Sequence, residues 1–108
     1  MEIKELNEFI DWEINRLEDY YKDKDEKELT MAMSLKLIEE TGELFNEILA
    51  HKGYQRKSKL EKLKKDDIEK EFADVLFVLI IIARRFNIDI EKSIKEKMEI
   101  IKKRNYEI

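Results

Sequence analysis

Three features of this 108-residue chain predict an all-α fold. It contains no proline and only two glycines, too few turn formers for a strand-rich protein. Apolar residues recur three and four positions apart over long stretches, the period of a helix face. Hydrophobic residues make up 43% and charged residues 44%, a balance that suits amphipathic helices around a modest core. The length fits a single domain, taken as residues 1–108, and is too short for two cores.

The first helix is expected from about Glu2 to Tyr21, with Ile3, Leu6, Ile10, Ile14 and Leu17 on one side. The charged run "KDKDEKE" then interrupts the pattern, and Thr30 is a candidate N-cap for a second helix over Met31 to Ala50. Its inner stripe reads Met31, Leu35, Ile38, Gly42, Phe45 and Leu49, widened by Leu37, Leu44 and Ile48 into an arc that must touch more than one neighbour. "HKGYQRKSKLEKLKK", residues 51–65, contains Gly53 and reads as a basic connection with one helical turn around Leu60 and Leu63. Asp66 or Asp67 caps a third helix that reaches about Phe86. Asn87 is a candidate stop, and a last helix from about Asp89 to Arg104 is expected to bury Ile90, Ile94, Met98 and Ile101. Short connections favour antiparallel neighbours, hence a small four-helix bundle. From Val75 to Ala83 the third helix is apolar around its whole circumference, so three helices or a second copy must surround it. The expected architecture is therefore bundle-like and completed by oligomerisation, as a homodimer or homotetramer.

Composition also excludes. Without cysteine there is no disulfide scaffold, thiol nucleophile or cysteine-ligated zinc. The longest apolar run, "VLFVLIIIA", is far shorter than the roughly 20 residues that cross a bilayer. "MEIKELNEFI" is acidic and amphipathic, unlike a signal peptide. A soluble cytoplasmic protein with no membrane partner is the expectation. The net charge of −4 argues against a general nucleic-acid binder.

"KLIEETGEL" places Glu39, Glu40 and Glu43 beside leucine and isoleucine. Glu40 and Glu43 are three apart and share a face, as do Glu71 and Asp74 at the start of the third helix. Converging two such pairs is costly, since like charges at about 4 Å repel by roughly 4 kcal/mol at an effective dielectric of about 20. Proton sharing or a bound cation relieves it. Oxygen donors without histidine or cysteine favour a hard ion, Mg²⁺ first and Mn²⁺ second, over zinc or a di-iron centre. A plainer alternative stands beside this one. Glu39, Glu40, Glu43 and Glu47 also fit a solvated face with Lys36 as ion-pair partner, and acids such as Glu71 and Asp74 favour a helix N-terminus. What favours a site is the coincidence of spacing, apolar border and neighbouring helices.

With these motifs the chain resembles the MazG-type all-α nucleoside triphosphate pyrophosphohydrolases. "EETGE" (Glu39, Glu40, Glu43) and "EFAD" (Glu71, Asp74) match the paired acidic motifs of that family. "LIEETGEL", "EFADVLFVL" and "KMEIIKKR" extend the likeness over about residues 30 to 104. The resemblance implies hydrolysis of a nucleoside triphosphate between its α and β phosphates, giving a monophosphate and pyrophosphate. It implies Glu40, Glu43, Glu71 and Asp74 as Mg²⁺ ligands, and Glu39 as an outer group or a base orienting the attacking water. Lys97 and Arg104, with Lys103 behind them, would bind polyphosphate; ordinary snorkelling of long basic side chains explains them equally. Ile101 departs from the pattern, since the family often carries asparagine between that lysine and arginine. Phe9, Trp12 and Arg16 share a flank of the first helix, and Trp12 is the candidate for stacking on a base. His51 reads as a surface residue. A phosphoribosyl-ATP pyrophosphatase of histidine biosynthesis ranks second, because "ADVLFVL" lacks the Tyr-His typical of that family. A dUTP- or dCTP-specific enzyme of the same superfamily, or a non-catalytic helical dimerisation module, are the remaining readings.

Overall fold

The computed structural model describes residues 1–54, 56–61 and 67–105. Five helices and no strand occur among them: α1 (Ile3–Tyr20), α2 (Glu26–His51), α3 (Lys57–Glu61), α4 (Asp67–Arg85) and α5 (Ile90–Lys102). The all-α expectation holds. Leu63, Asp66 and much of the basic connection lie outside the described residues.

Helix α2 begins at Glu26 rather than Met31. Asp25 is its N-cap, its carboxylate accepting from Glu28 N at 2.8 Å, with Glu26 and Glu28 in the first turn. The end of the charged run is helical because lysine and glutamate are good helix formers and the aspartate supplies the cap. Thr30 instead takes a hydrogen bond from Arg85 Nε at 3.2 Å. At the other end Gly53, at φ 79°, occupies the left-handed position after the helix, and Tyr54 N donates to Leu49 O at 2.8 Å. Helix α4 ends in the same way. Asn87 has φ 53°, and Ile88 N donates to Ala83 O at 2.9 Å. Asp89 then caps α5 by accepting from Lys92 N at 3.0 Å.

The core is small. Ile10, Leu29, Met33 and Ile81 form its centre, with Leu6, Ile14, Leu17 and Phe77 packed around them. Helices α2 and α4 form the most extensive pair, and α1 packs chiefly on α4. Arg85 at the end of α4 bonds Glu26 at the start of α2 at 2.6 Å, whereas Glu71 near the start of α4 meets Glu40 and Glu43 further along α2. The two helices therefore run antiparallel. Arg84 ties α4 to α1 through Asp11 and, at 3.2 Å, Asn7.

Two burial expectations are corrected. The inner face of α2 carries Leu29, Met33, Glu40, Glu47 and Ala50, while Met31, Leu35, Ile38 and Phe45 are exposed. Residues 40 and 47 lie about 200° around the helix from 38 and 45, nearly the opposite face. The buried stripe contains two glutamates, so counting apolar residues pointed to the other side. Helix α5 has no buried residue: Ile94, Met98 and Ile101 are 55%, 49% and 44% exposed, because among the described residues no helix packs extensively against α5. Phe72, Leu76 and Leu79 on α4 are likewise exposed. The Cα radius of gyration, 17.4 Å, exceeds the about 13 Å of a compact chain of this length.

Candidate functional site

Antiparallel pairing of α2 and α4 brings the acidic motifs together. Carboxylate oxygens of Glu40, Glu43 and Glu71 all lie within 4.8 Å of one another. Glu40 is buried, Glu71 half-buried and Glu43 exposed, so the group sits on the rim of the core. Asp74 falls outside this set of three; it lines a neighbouring cavity together with Glu40.

Burial and crowding of like charge raise two of these carboxyls. Burial pushes the Glu71 carboxyl above the usual range, and the charges of Glu43, Asp74 and Glu40 push the same way. Asp74 is also raised, first by desolvation and then by Glu40, with Lys36 opposing. Glu40 Oε2 and Glu71 Oε2 are buried without a hydrogen-bond partner. An unpartnered buried carboxylate oxygen is expensive, and a hard cation is the partner that oxygens alone favour. Oxygens sharing one Mg²⁺ lie about 3.0 Å apart when adjacent and about 4.2 Å apart when opposite, so the side chains close by an ångström or two to share an ion. The residues present fit such an ion. Glu40, Glu43 and Glu71 would hold it, with Asp74 adjacent.

The solvated-face alternative fails for Glu40 and Glu47, which are 7% and 9% exposed, and fits the exposed Glu39 and Glu43. Of two ion pairs at these glutamates, the sequence reading expected one and missed the other. Lys36 pairs with Glu40 at 3.0 Å and with Glu39 at 3.5 Å; its spacing of four and three was the available signal. Lys59 of α3 pairs with Glu47 at 2.7 Å across a connection that no local pattern reports.

A cavity of about 270 Å³ opens beside the carboxylates, between α1, α2 and α4. Phe9, Leu17, Met33, Phe77 and Val78 supply apolar wall, and Lys36, Glu40 and Asp74 supply its charged end. Phe9 packs against Phe77 with ring centroids 4.8 Å apart and planes tilted by 49°. Trp12 does not line the cavity; Arg16, which does, lies 4.8 Å above its ring. Lys97, Lys103 and Arg104 are exposed on or just after α5, a helix without substantial packing on α2 or α4. His51 closes α2, its Nδ1 2.8 Å from Glu47 O.

Fold and site together define an all-α protein with a carboxylate group able to hold a metal ion beside an apolar cavity. Residues 28–107 match the MazG nucleotide pyrophosphohydrolase domain, and the chain belongs to that family. Membership supports nucleotide pyrophosphohydrolysis as its general activity, in a family that generally uses a divalent metal. No curated protein and no solved structure gives a significant match. Among the described residues no helix is long and apolar enough to cross a membrane.

Proposed function

We propose that this protein is a Mg²⁺-dependent nucleoside triphosphate pyrophosphohydrolase, with Mn²⁺ as alternative ion, cleaving between the α and β phosphates to release a monophosphate and pyrophosphate. One observation carries the reading. Glu40, Glu43 and Glu71, from two helices, gather within 4.8 Å beside a cavity that Glu40 lines, and two of them hold unpartnered buried oxygens.

Phosphoryl-type transfer needs positioning and charge neutralisation more than covalent chemistry. When bound, the ion supplies positive charge against the phosphates and lowers the pKa of a coordinated water. Glu40, Glu43, Glu71 and Asp74 bind and orient it. Glu39, exposed beside Glu40, orients the attacking water by accepting its proton in a hydrogen bond. Phe9 and Phe77 face the base, and Trp12 flanks it through Arg16. Lys97, Lys103 and Arg104 meet the polyphosphate.

Those basic groups stand apart from the acids of their own chain, so the reading includes a homodimer or homotetramer that brings α5 to a site. The exposed surface of 9145 Å² is about 2,700 Å² more than the roughly 6,400 Å² of a compact monomer of this mass. Burial on that scale belongs to obligate interfaces. A cytoplasmic location accompanies the reading.

The test is incubation of the purified protein with a panel of nucleoside triphosphates and Mg²⁺. Pyrophosphate as product supports the assignment. Orthophosphate alone would contradict the bond, and no turnover with any nucleotide would favour a non-catalytic module.

A further inference from the structure

The acidic site already contains a cation that the chain itself supplies. Lys36 Nζ lies 3.0 Å from Glu40 Oε1, on a carboxylate whose other oxygen is buried and unpartnered. The Glu40 side chain is 10% exposed and that of Lys36 is 43% exposed. Lysine placed four residues before glutamate is the less favourable order on a helix, so the pair is exchangeable. An ammonium and a divalent ion drawn to the same carboxylate repel each other through half-buried surroundings. Lys36 also has somewhere to go. Its side chain lines the cavity with Asp74 and Phe77, and its flexible four-carbon stem lets the charged end swing while α2 stays fixed.

We propose that Lys36 is an exchangeable counterion of Glu40, which a divalent ion displaces into the cavity, where the ammonium binds the substrate's phosphates. The proposal rests on the metal-site reading above. It makes Lys36 a substrate-binding residue that couples the two ligands. The ammonium becomes available to phosphate once the ion holds Glu40, so metal and nucleotide favour each other's binding. A lysine with only a structural role produces no such coupling.

The experiment is calorimetric titration of the purified protein with Mg²⁺ or Mn²⁺ alone, followed by titration of the metal-saturated protein with inorganic tripolyphosphate, which carries phosphates without a base. The wild type is compared with Lys36→Met and Lys36→Arg, with circular dichroism to confirm that each is folded. Lys36→Met is expected to bind the metal about two- to fivefold more tightly, the scale of a half-exposed ion pair. It should bind tripolyphosphate about tenfold more weakly, the loss of one charge-assisted hydrogen bond. Lys36→Arg should recover most of the tripolyphosphate affinity. Opposite signs for the two ligands are the signature of exchange. Equal metal affinities, or tripolyphosphate binding that is equal or absent in wild type and Lys36→Met, overturn the proposal while leaving the metal site standing. Failure of both wild type and Lys36→Met to bind any metal overturns the metal reading and the proposal with it.

Discussion

Helices α4 and α5 both carry apolar residues at helical spacing, yet α4 buries Val78, Ile81 and Ala83 while α5 buries nothing. Their acids differ in the same way. Glu71 on α4 is half-buried against Glu40 and Glu43, and its carboxyl is raised. Glu91 on α5 is exposed and pairs with Lys95 at 3.0 Å. Helix periodicity is common to both. What differs is the surface opposite: α4 has α2 along its length, and α5 has no such neighbour in the single chain. An amphipathic stripe states that something must cover it, and the partner decides whether its acids become strained and chemically active.

The comparison is broken most sharply at the acidic rim. Alanine at Glu40, Glu43, Glu71 or Asp74 is expected to reduce pyrophosphate release by on the order of 10²- to 10³-fold, as loss of one preorganised electrostatic group does. Far-UV circular dichroism should be unchanged. Full turnover by Glu71→Ala would remove α4 from the catalytic assignment.

Next in size is the α5 stripe. If a second copy covers it, Ile94→Asp or Met98→Glu should dissociate the assembly, at about 2 kcal/mol or more per buried anchor. Analytical ultracentrifugation reads this directly, and an intact assembly would show that α5 faces water. The third test contrasts the cores. Ile10→Ala or Met33→Ala should cost about 2–5 kcal/mol in urea unfolding. Ile94→Ala in a monomeric background should cost far less, because little surrounds it.

The pH dependence comes from the raised carboxyls of Glu71 and Asp74. A folded-state pKa above the ordinary value means that the native chain binds the proton more tightly than the unfolded one. The contribution of these two groups to the stability of the metal-free protein is therefore full below the ordinary values of 4.5 and 3.8 and is lost as pH rises through the raised range. Glu71→Gln should flatten this slope and raise the metal-free Tm at neutral pH, and saturating Mg²⁺ should do the same for the wild type. A Tm-against-pH slope identical in the metal-free wild type and Glu71→Gln would contradict the raised Glu71 carboxyl. The smallest effect belongs to α5: Glu91→Ala, which removes only the exposed pair with Lys95, should leave Tm unchanged in thermal melts.

Much of this was legible in the sequence. The i, i+3 spacing of Glu40 with Glu43 fixed a shared face, and Asn87 and Gly53 marked helix ends that the left-handed backbone bears out. The reading of α2 fails where Glu40 and Glu47 lie inside, since hydropathy assigns glutamate to water unless a partner on another helix, such as Lys59, is known. Asp74 shows the finer limit. It shares the motif spacing of Glu71 but stands on the cavity side, because three residues of helix rotate by about 300° rather than a full turn.

By itself, the sequence determined that the chain is helical, where most helices stop, and that four acids fall in two equally spaced pairs, because these follow from local propensity and a period of 3.6 residues. Tertiary structure alone decided which side of α2 turns inward, that three of those acids meet, and that Lys59 reaches Glu47. An apolar arc wider than one neighbour leaves a helix free to rotate, and only the packing of α2 against α4 fixes the angle.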